Sequence, residues 1–367
     1  MKKVLFTATV DSHILAFHIP FLKLFKDKGY EVHVATNGNE DIPYCDVKHV
    51  VCFERSPYKL NNIKAIKQLK KIIDTEKFDI IHCHTPMGGV VTRLAARKAR
   101  KNETRVIYTA HGFHFYKGAP IKNWLLFYSV EKYLAKYTDT LITINTEDYE
   151  LAKKKFSKRC KDIQYVLGVG IDPKKFDFEM TKKDKHELRK SLGLKDDDFV
   201  MICVARLDKN KNQSFLIGVT SNLIKTYKNI HLLLVGPDEL DGKYQEQAKD
   251  ILSNVHFLGF RKDIAQLMQI SNITLSSSLR EGLPVNILEA MFSNLPIISL
   301  DTRGVRDLIV NDKNGFIVNN IDDFVEKVVY VYNHYEDFYN KSEQNNKIYR
   351  EKYLLENVME DIKKIYF

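Results

Sequence analysis

Short apolar runs alternate with longer stretches of helical periodicity from one end of the chain to the other. In the first half, Val4–Ala8, Glu31–Ala35, His49–Phe53, Ile80–His84, Arg105–Ala110, Thr140–Ile144 and Tyr165–Leu167 read as strands. Between them, apolar positions recur at helical spacing in Leu15–Lys28, Asn62–Glu76, Val90–Lys101, Lys122–Lys136 and Glu147–Phe156. Apolar strands separated by helices of this length predict βαβ units and a parallel sheet, wound right-handedly, with ligands at the carboxyl ends of the strands. A loop of Gly, Asp, Pro and Lys at Gly168–Lys175 interrupts the pattern and reads as a domain joint. The alternation then restarts. Strands are predicted at Phe199–Arg206, His231–Val235, Val255–Leu258, Thr274–Ser277, Pro296–Leu300 and Phe316–Val318, and helices at Gln213–Tyr227, Lys243–Leu252, Ile264–Ile270, Val285–Phe292 and Ile321–His334. The expected architecture is therefore α/β, two Rossmann-like doubly wound domains facing across a cleft. Residues 1–170 form the first and 171–350 the second, and an amphipathic segment at 351–367 returns as a helix to the first.

A chain of 367 residues is long enough for two such cores. No apolar run reaches the roughly 18–20 residues that cross a bilayer. The apolar start at Met1–Val10 ends at Asp11 with no small-residue cleavage site, so it reads as a buried strand and not a signal peptide. Cys45, Cys52, Cys83, Cys160 and Cys203 show no regular spacing, which predicts reduced thiols in a cytoplasmic protein. Charge is uneven. Residues 1–172 carry 29 Lys/Arg against 18 Asp/Glu, and the remainder 28 against 29, so the net +10 belongs to the first half. That half is expected to meet something anionic.

Two segments of the second half carry chemistry. In Ser278–Met291, Glu281 and Glu289 are eight residues apart, with Gly282, Leu283, Pro284 and Val285 leading into a helix. Pro suits a helix start. The free N–H groups around Pro284–Asn286 then offer an anion site, and the carboxylates offer acceptors for sugar hydroxyls. In Val204–Asn212, Arg206 and Lys211 leave a strand's carboxyl end, where fixed cations stabilise a departing diphosphate. Taken singly, the first segment reads equally as solvated helix-end glutamates, and the second reads better as a solvated basic turn. The combination is far more specific.

The second half resembles the retaining glycosyltransferases of family 4, of GT-B architecture. The match runs through A-R-L-x-x-x-K at 205–211, L-V-G at 234–236, L-G-F at 258–260, E-G-L-P-V-N-I-L-E-A at 281–290, L-P-I-I at 295–298 and N-G-F-I-V at 314–318. The resemblance implies that Arg206 and Lys211 bind the donor diphosphate, Glu281 the transferred sugar and Glu289 the ribose hydroxyls. The Phe260-Arg261 turn would lie beside the base. In the first half, Thr109-Ala-His-Gly-Phe-His114 implies that His111 faces the transferred sugar, whereas outside this context it reads as a core histidine. His82-Cys-His-Thr-Pro-Met-Gly-Gly89 and Thr143-Ile-Asn-Thr-Glu-Asp148 resemble polysaccharide-assembly relatives. Ser12, His13, His84 and Lys117 are the candidate acceptor-binding residues. Two departures stand out: Thr9–His13 replaces the paired glycines common after the first strand, and Asn294 replaces a glycine, which requires a left-handed helix cap there.

From this follow the expectations for function. The enzyme retains anomeric configuration and moves a hexose or N-acetylhexosamine, from UDP by kinship, to a glycan that is lipid-linked in a surface-polysaccharide pathway. No cofactor or metal is expected. His82, His84 and His111 suggest a metal cluster, but no carboxylate has matching spacing, and Asp196-Asp197-Asp198 precedes a strand and reads as a solvated turn. The basic spacing of Lys64, Lys67, Lys70 and Lys71, and of Arg93, Arg97, Lys98, Arg100 and Lys101, with the aromatic segment Phe113–Tyr137, predicts docking on an anionic membrane's inner face. Solvated helix faces and ordinary core are the alternatives. An epimerase of similar fold remains a rival, as does a nucleic-acid binder. Nucleic acid is not expected as a partner because no helix-turn-helix, zinc or RNP-like motif occurs. A dehydrogenase lacks its G-x-G-x-x-G.

Overall fold

The computed structural model describes residues 1–367 and forms two compact units, Met1–Val169 with Val358–Phe367, and Gly170–Asn357. The first holds β1 (Lys3–Val10), β2 (Glu31–Asn37), β3 (Val47–Val50), β4 (Ile80–Cys83), β5 (Arg105–Ala110), β6 (Thr140–Thr143) and β7 (Asp162–Tyr165) in the order β3-β2-β1-β4-β5-β6-β7. The second holds β8 (Phe199–Val204), β9 (Ile230–Val235), β10 (Val255–Gly259), β11 (Ile273–Ser276), β12 (Ile297–Leu300) and β13 (Gly315–Val318) in the order β10-β9-β8-β11-β12-β13. Neighbouring strands are parallel throughout both sheets. Helices cover both faces, so the strands read as continuous apolar runs: every residue of β9 is buried. In each sheet the order reverses beside the first strand. The loops after β1 and β4 therefore diverge, as do those after β8 and β11, and leave a crevice at the carboxyl edge.

Several boundaries differ from the sequence reading for identifiable reasons. β3 pairs through Val47–Val50, not His49–Phe53, because Val51 and Phe53 are buried in a core cluster beyond the ladder. β7 ends at Tyr165 instead of beginning there. The first predicted helix is two, Asp11–Phe17 and Ile19–Asp27. Pro20 forces the break, since it lacks an N–H and crowds the preceding turn, and His18 at the junction turns inward and is buried. Three helices went unread, the shortest being Arg303–Arg306. Lys182–Ser191 opens on a capping box between Thr181 and Asp184, which was readable as Thr-x-x-Asp. Tyr335–Lys352 is strongly polar and gave little apolar periodicity. The triple aspartate is not wholly solvated either. Asp198 is buried, accepts from the Lys195 N–H at 2.7 Å and faces His231 at 3.3 Å. All five cysteines are unpaired.

The closing helix Leu355–Tyr366 buries Val358, Met359, Ile362 and Tyr366. Its Tyr366 packs edge-on against Phe25 and its hydroxyl meets His82 Nδ1 at 2.5 Å, while His82 Nε2 contacts Thr109 Oγ1 at 2.8 Å. His82 thus serves packing. No helix is long and apolar enough to cross a membrane.

Arg93, grouped by spacing with the basic surface, is instead 1% exposed. It makes a bidentate pair with Glu131 at 2.8 and 3.0 Å, donates to the Gly89 carbonyl and stacks on Tyr108. Removing one partner strands a buried charge. Arg93→Ala should therefore cost about 3–5 kcal/mol in urea denaturation, and pairing Arg93→Met with Glu131→Leu should recover most of that loss.

Candidate active site

At the reversal of the second sheet, the loop leaving β8 and the loop leaving β11 are stitched together. The Leu279 N–H donates to the Asn210 carbonyl at 2.8 Å, and Asn210 Nδ2 donates to the Arg280 carbonyl at 3.1 Å. Ser277 Oγ donates to the carbonyls of Lys211 and Asn212 at 2.8 and 3.0 Å. Across this seam Lys211 Nζ meets Glu281 Oε1 at 2.6 Å, with both side chains largely screened from water. The two motifs recognised separately in the sequence are one charge pair in space. Arg206, in the same loop as Lys211, is about half exposed and faces Glu239 at 2.6 Å and Asp208 at 3.3 Å. Its carbonyl accepts from Gln213 Nε2 at 2.8 Å, which fixes the backbone of the turn.

The helix after Glu281 spans Val285–Phe292, with Pro284 in extended conformation ahead of it, so Gly282, Leu283, Pro284 and Val285 form its entry. Glu289 lies in the second turn and is the one strongly perturbed carboxyl of this region. Burial raises its pKa to about 7, against an opposing influence from Lys175. Past the same helix Asn294 has φ +61°, the left-handed cap its substitution for glycine required. It donates to Glu343 and accepts from Arg350. On the far side of β8, Gly259 bends the chain, leaving Phe260 exposed and Arg261 in a bidentate pair with Asp263.

In the first unit β1 runs directly into the first helix, whose opening residue, Asp11, is buried. Burial alone would raise its pKa, but Lys48 and Thr36 hold it below the ordinary value, and the Glu40 N–H also donates to it. Gly38 leaves the room: a Cβ there would fall 2.1 Å from the Asp11 carboxylate. His13, His84 and His111 come together, joined by His18, which the sequence reading left out. His13 Nε2 lies 3.3 Å from His18 Nε2, and His111 Nε2 lies 3.4 Å from His84 Nδ1. Burial, reinforced among His13, His18 and His84 by the neighbouring rings, holds all four well below the usual histidine range, His111 at about 4. They are neutral at physiological pH. His18 Nδ1 and His84 Nε2 are buried without partners, each at a cost of about 1–3 kcal/mol. Before the following helix Thr85 adopts φ +63°, a strained conformation for a β-branched residue. Ser12 is exposed on the first helix, and Lys117 lines a separate cavity with Trp124 and Leu151. Neither belongs to the histidine group.

Other contributors escaped the sequence reading. A Cβ on Gly236 would strike the Ala205 carbonyl at 2.1 Å, and one on Gly304 would strike the Gly282 carbonyl at 2.1 Å. Both glycines let a neighbouring loop close on the motif turns. Gly236 stood in the quoted L-V-G triplet, but nothing in the sequence tied Gly304 to Gly282. Ser277 and Asn210 bordered the motifs without a signal of their own.

Residues 3–145 match the family model described as glycosyl transferase 4-like, and residues 184–349 that of glycosyl transferases group 1. EpsD of Bacillus subtilis is 46% identical over 319 residues, covering 86% of this chain and 83% of that protein. The UDP-Gal:alpha-D-GlcNAc-diphosphoundecaprenol alpha-1,3-galactosyltransferase of Escherichia coli is 33% identical over 279 residues, covering 74% and 71%. Among solved structures, Anabaena HepE in complex with UDP and glucose aligns with a TM-score of 0.79 at 18% identity, over 100% of this chain and 99% of that one. With both family regions in order on two parallel α/β units, the chain belongs to the family 4-like, group 1 glycosyltransferases and is an enzyme of GT-B fold.

Proposed function

We propose that this enzyme transfers a hexose or N-acetylhexosamine, with retention, from a UDP-sugar to a lipid-linked glycan acceptor during assembly of a surface polysaccharide. The observation that carries the reading is the stitched pair of loops at the second sheet's reversal, which sets Lys211 against Glu281 at strand carboxyl ends, with Arg206 leaving the same strand as Lys211. The Escherichia coli relative is named for a UDP-galactose donor and a diphosphoundecaprenol acceptor, and the HepE structure contains UDP and glucose, which supports donor and acceptor class.

In this mechanism the acceptor oxygen bonds to the anomeric carbon on the face that the diphosphate leaves. The carbon–oxygen bond to phosphate breaks, UDP takes the electron pair, and the hydroxyl proton passes to the departing phosphate oxygen. Arg206 and Lys211 stabilise the charge growing on that oxygen, the work a metal does in other transferases. Arg206 is held by carboxylates at an exposed site, where such pairs contribute little, so a diphosphate readily displaces Glu239. Glu281, already paired to Lys211, offers its remaining acceptor capacity to the sugar, and Glu289 accepts from the ribose. The resemblance assigns His111 to the transferred sugar.

Peripheral attachment to the inner face of a cell membrane is part of the same proposal. Phe113 and Phe115 are core residues, but Ile121 and Leu125 are 78% and 71% exposed near exposed Lys117 and Lys122. That narrows the docking surface to one turn of the aromatic segment.

Calorimetric titration with UDP should show binding weakened at least about tenfold in Lys211→Ala, the loss expected of a charge-assisted contact. Stabilisation by GDP-sugars and not UDP-sugars would overturn the donor assignment, and an inverted product linkage by NMR would overturn retention. Glu289 supplies a pH signature. Its folded pKa is about 7 against an ordinary 4.5, so its ionisation opposes folding, with no penalty below pH 4.5 and the full penalty above pH 7. Glu289→Gln should raise unliganded stability at pH 8 by roughly 2–3 kcal/mol and leave it unchanged near pH 4, read as thermal midpoints. Leu125→Ser with Ile121→Ser should reduce co-sedimentation with anionic vesicles and leave UDP binding intact.

A further inference from the structure

We propose that an open cavity between the helix Thr146–Phe156 and the segment Lys117–Trp124 holds the head group of a prenyl-diphosphate-linked acceptor, an assignment that rests on the transferase reading above. The cavity has a volume of about 850 Å³ and belongs wholly to the first unit. The segment follows β5 and His111, and the helix follows β6, so both walls start from the carboxyl edge of the first sheet.

The helix presents a polarised stripe to this cavity. Glu147, Leu151 and Lys154 follow one another at four and three residues and therefore share a face. Glu147 stands in the first turn and Lys154 in the last. At about 1.5 Å per residue they lie roughly 10 Å apart along the axis, close to the length of a hexose joined to a diphosphate. Carboxylates accept from sugar hydroxyls, and ammonium groups bind phosphate oxygens. The sugar then lies toward the strand ends and the diphosphate away from them, with Lys117 adding a cation from the opposite wall. Trp124 and Leu151 supply the apolar surface. The Trp124 indole N–H already donates to the Tyr116 carbonyl at 3.2 Å, and its ring packs on Phe115 and Tyr128, so it has only apolar surface left to offer. Trp124 also opens a π-helical turn, Trp124–Tyr128, an uncommon winding that concentrates at functional sites. Leu125 on that turn is 71% exposed and belongs to the surface proposed to meet the bilayer, so a prenyl tail leaves the cavity toward the membrane. The donor motifs lie in the second unit, which leaves this cavity to a different diphosphate.

The chain contains one tryptophan, so the fluorescence of Trp124 reports on this cavity directly. Titration of the full chain with farnesyl diphosphate, below its micellar concentration, should shift that emission saturably, and excess UDP should not reverse the shift. Lys117→Glu with Lys154→Glu should weaken the binding at least about tenfold, whereas Lys117→Arg with Lys154→Arg should keep it. Both lysines are exposed, so the variants should fold. Lys211→Ala, in the second unit, should leave the response to farnesyl diphosphate unchanged. An emission that does not move overturns the proposal, as does undiminished affinity in the double glutamate variant, equal affinity for farnesol, or displacement by UDP. Calorimetric titration of the same samples with UDP reports the donor site separately. UDP binding beside an unmoved Trp124 sinks the cavity assignment alone, and a farnesyl diphosphate response without UDP binding sinks the donor reading alone.

Discussion

Everything chemical in this protein depends on one topological constraint, the reversal of strand order next to the first strand of each parallel sheet. A parallel strand must be reached by a crossover, and crossovers run to one side until the order turns back. Only where it turns do two successive loops part and leave a space floored by strand ends. In the second sheet that space receives the loops carrying Arg206, Lys211 and Glu281. In the first it receives the four histidines. The same geometry, used twice, has been filled with opposite chemistry: charged and open in one unit, neutral and closed in the other.

Burial decides how each group behaves once it is there. Lys211 and Glu281 compensate one another across the seam. Glu289, two turns away along the chain, has no comparable cation at hand and stays partly protonated near neutrality. Arg93 and Glu131 show the stronger form of the rule, since two full charges persist inside the first unit only because each completes the other. Asp11, at the start of the first helix, does the same with Lys48.

Much of this was legible in the chain. The strands of both sheets were read within a few residues, because strands buried on both faces are short apolar runs and the helices between them are amphipathic. The helix Val285–Phe292 and the left-handed Asn294 followed from local rules about Pro, Gly and caps, which act over four or five residues. The errors share a cause. Arg93 belonged by spacing to a basic stripe, yet spacing does not reveal that Tyr108 waits on the next strand and Glu131 on a later helix. His18 was invisible as a site residue because the helix was read as continuous through Pro20.

Periodicity and motif spacing are properties of neighbours along the chain, and they set the α/β class, the two sheets, the uneven charge and the motif residues proposed for the donor site. Which of those residues meet is settled in three dimensions: Lys211 pairs with Glu281 across 70 positions, Gly304 admits the Gly282 carbonyl, and four histidines converge while a fifth packs against the closing helix. Such encounters are set by strand order and by the space that surrounding side chains leave, and neither is written in any local stretch of sequence.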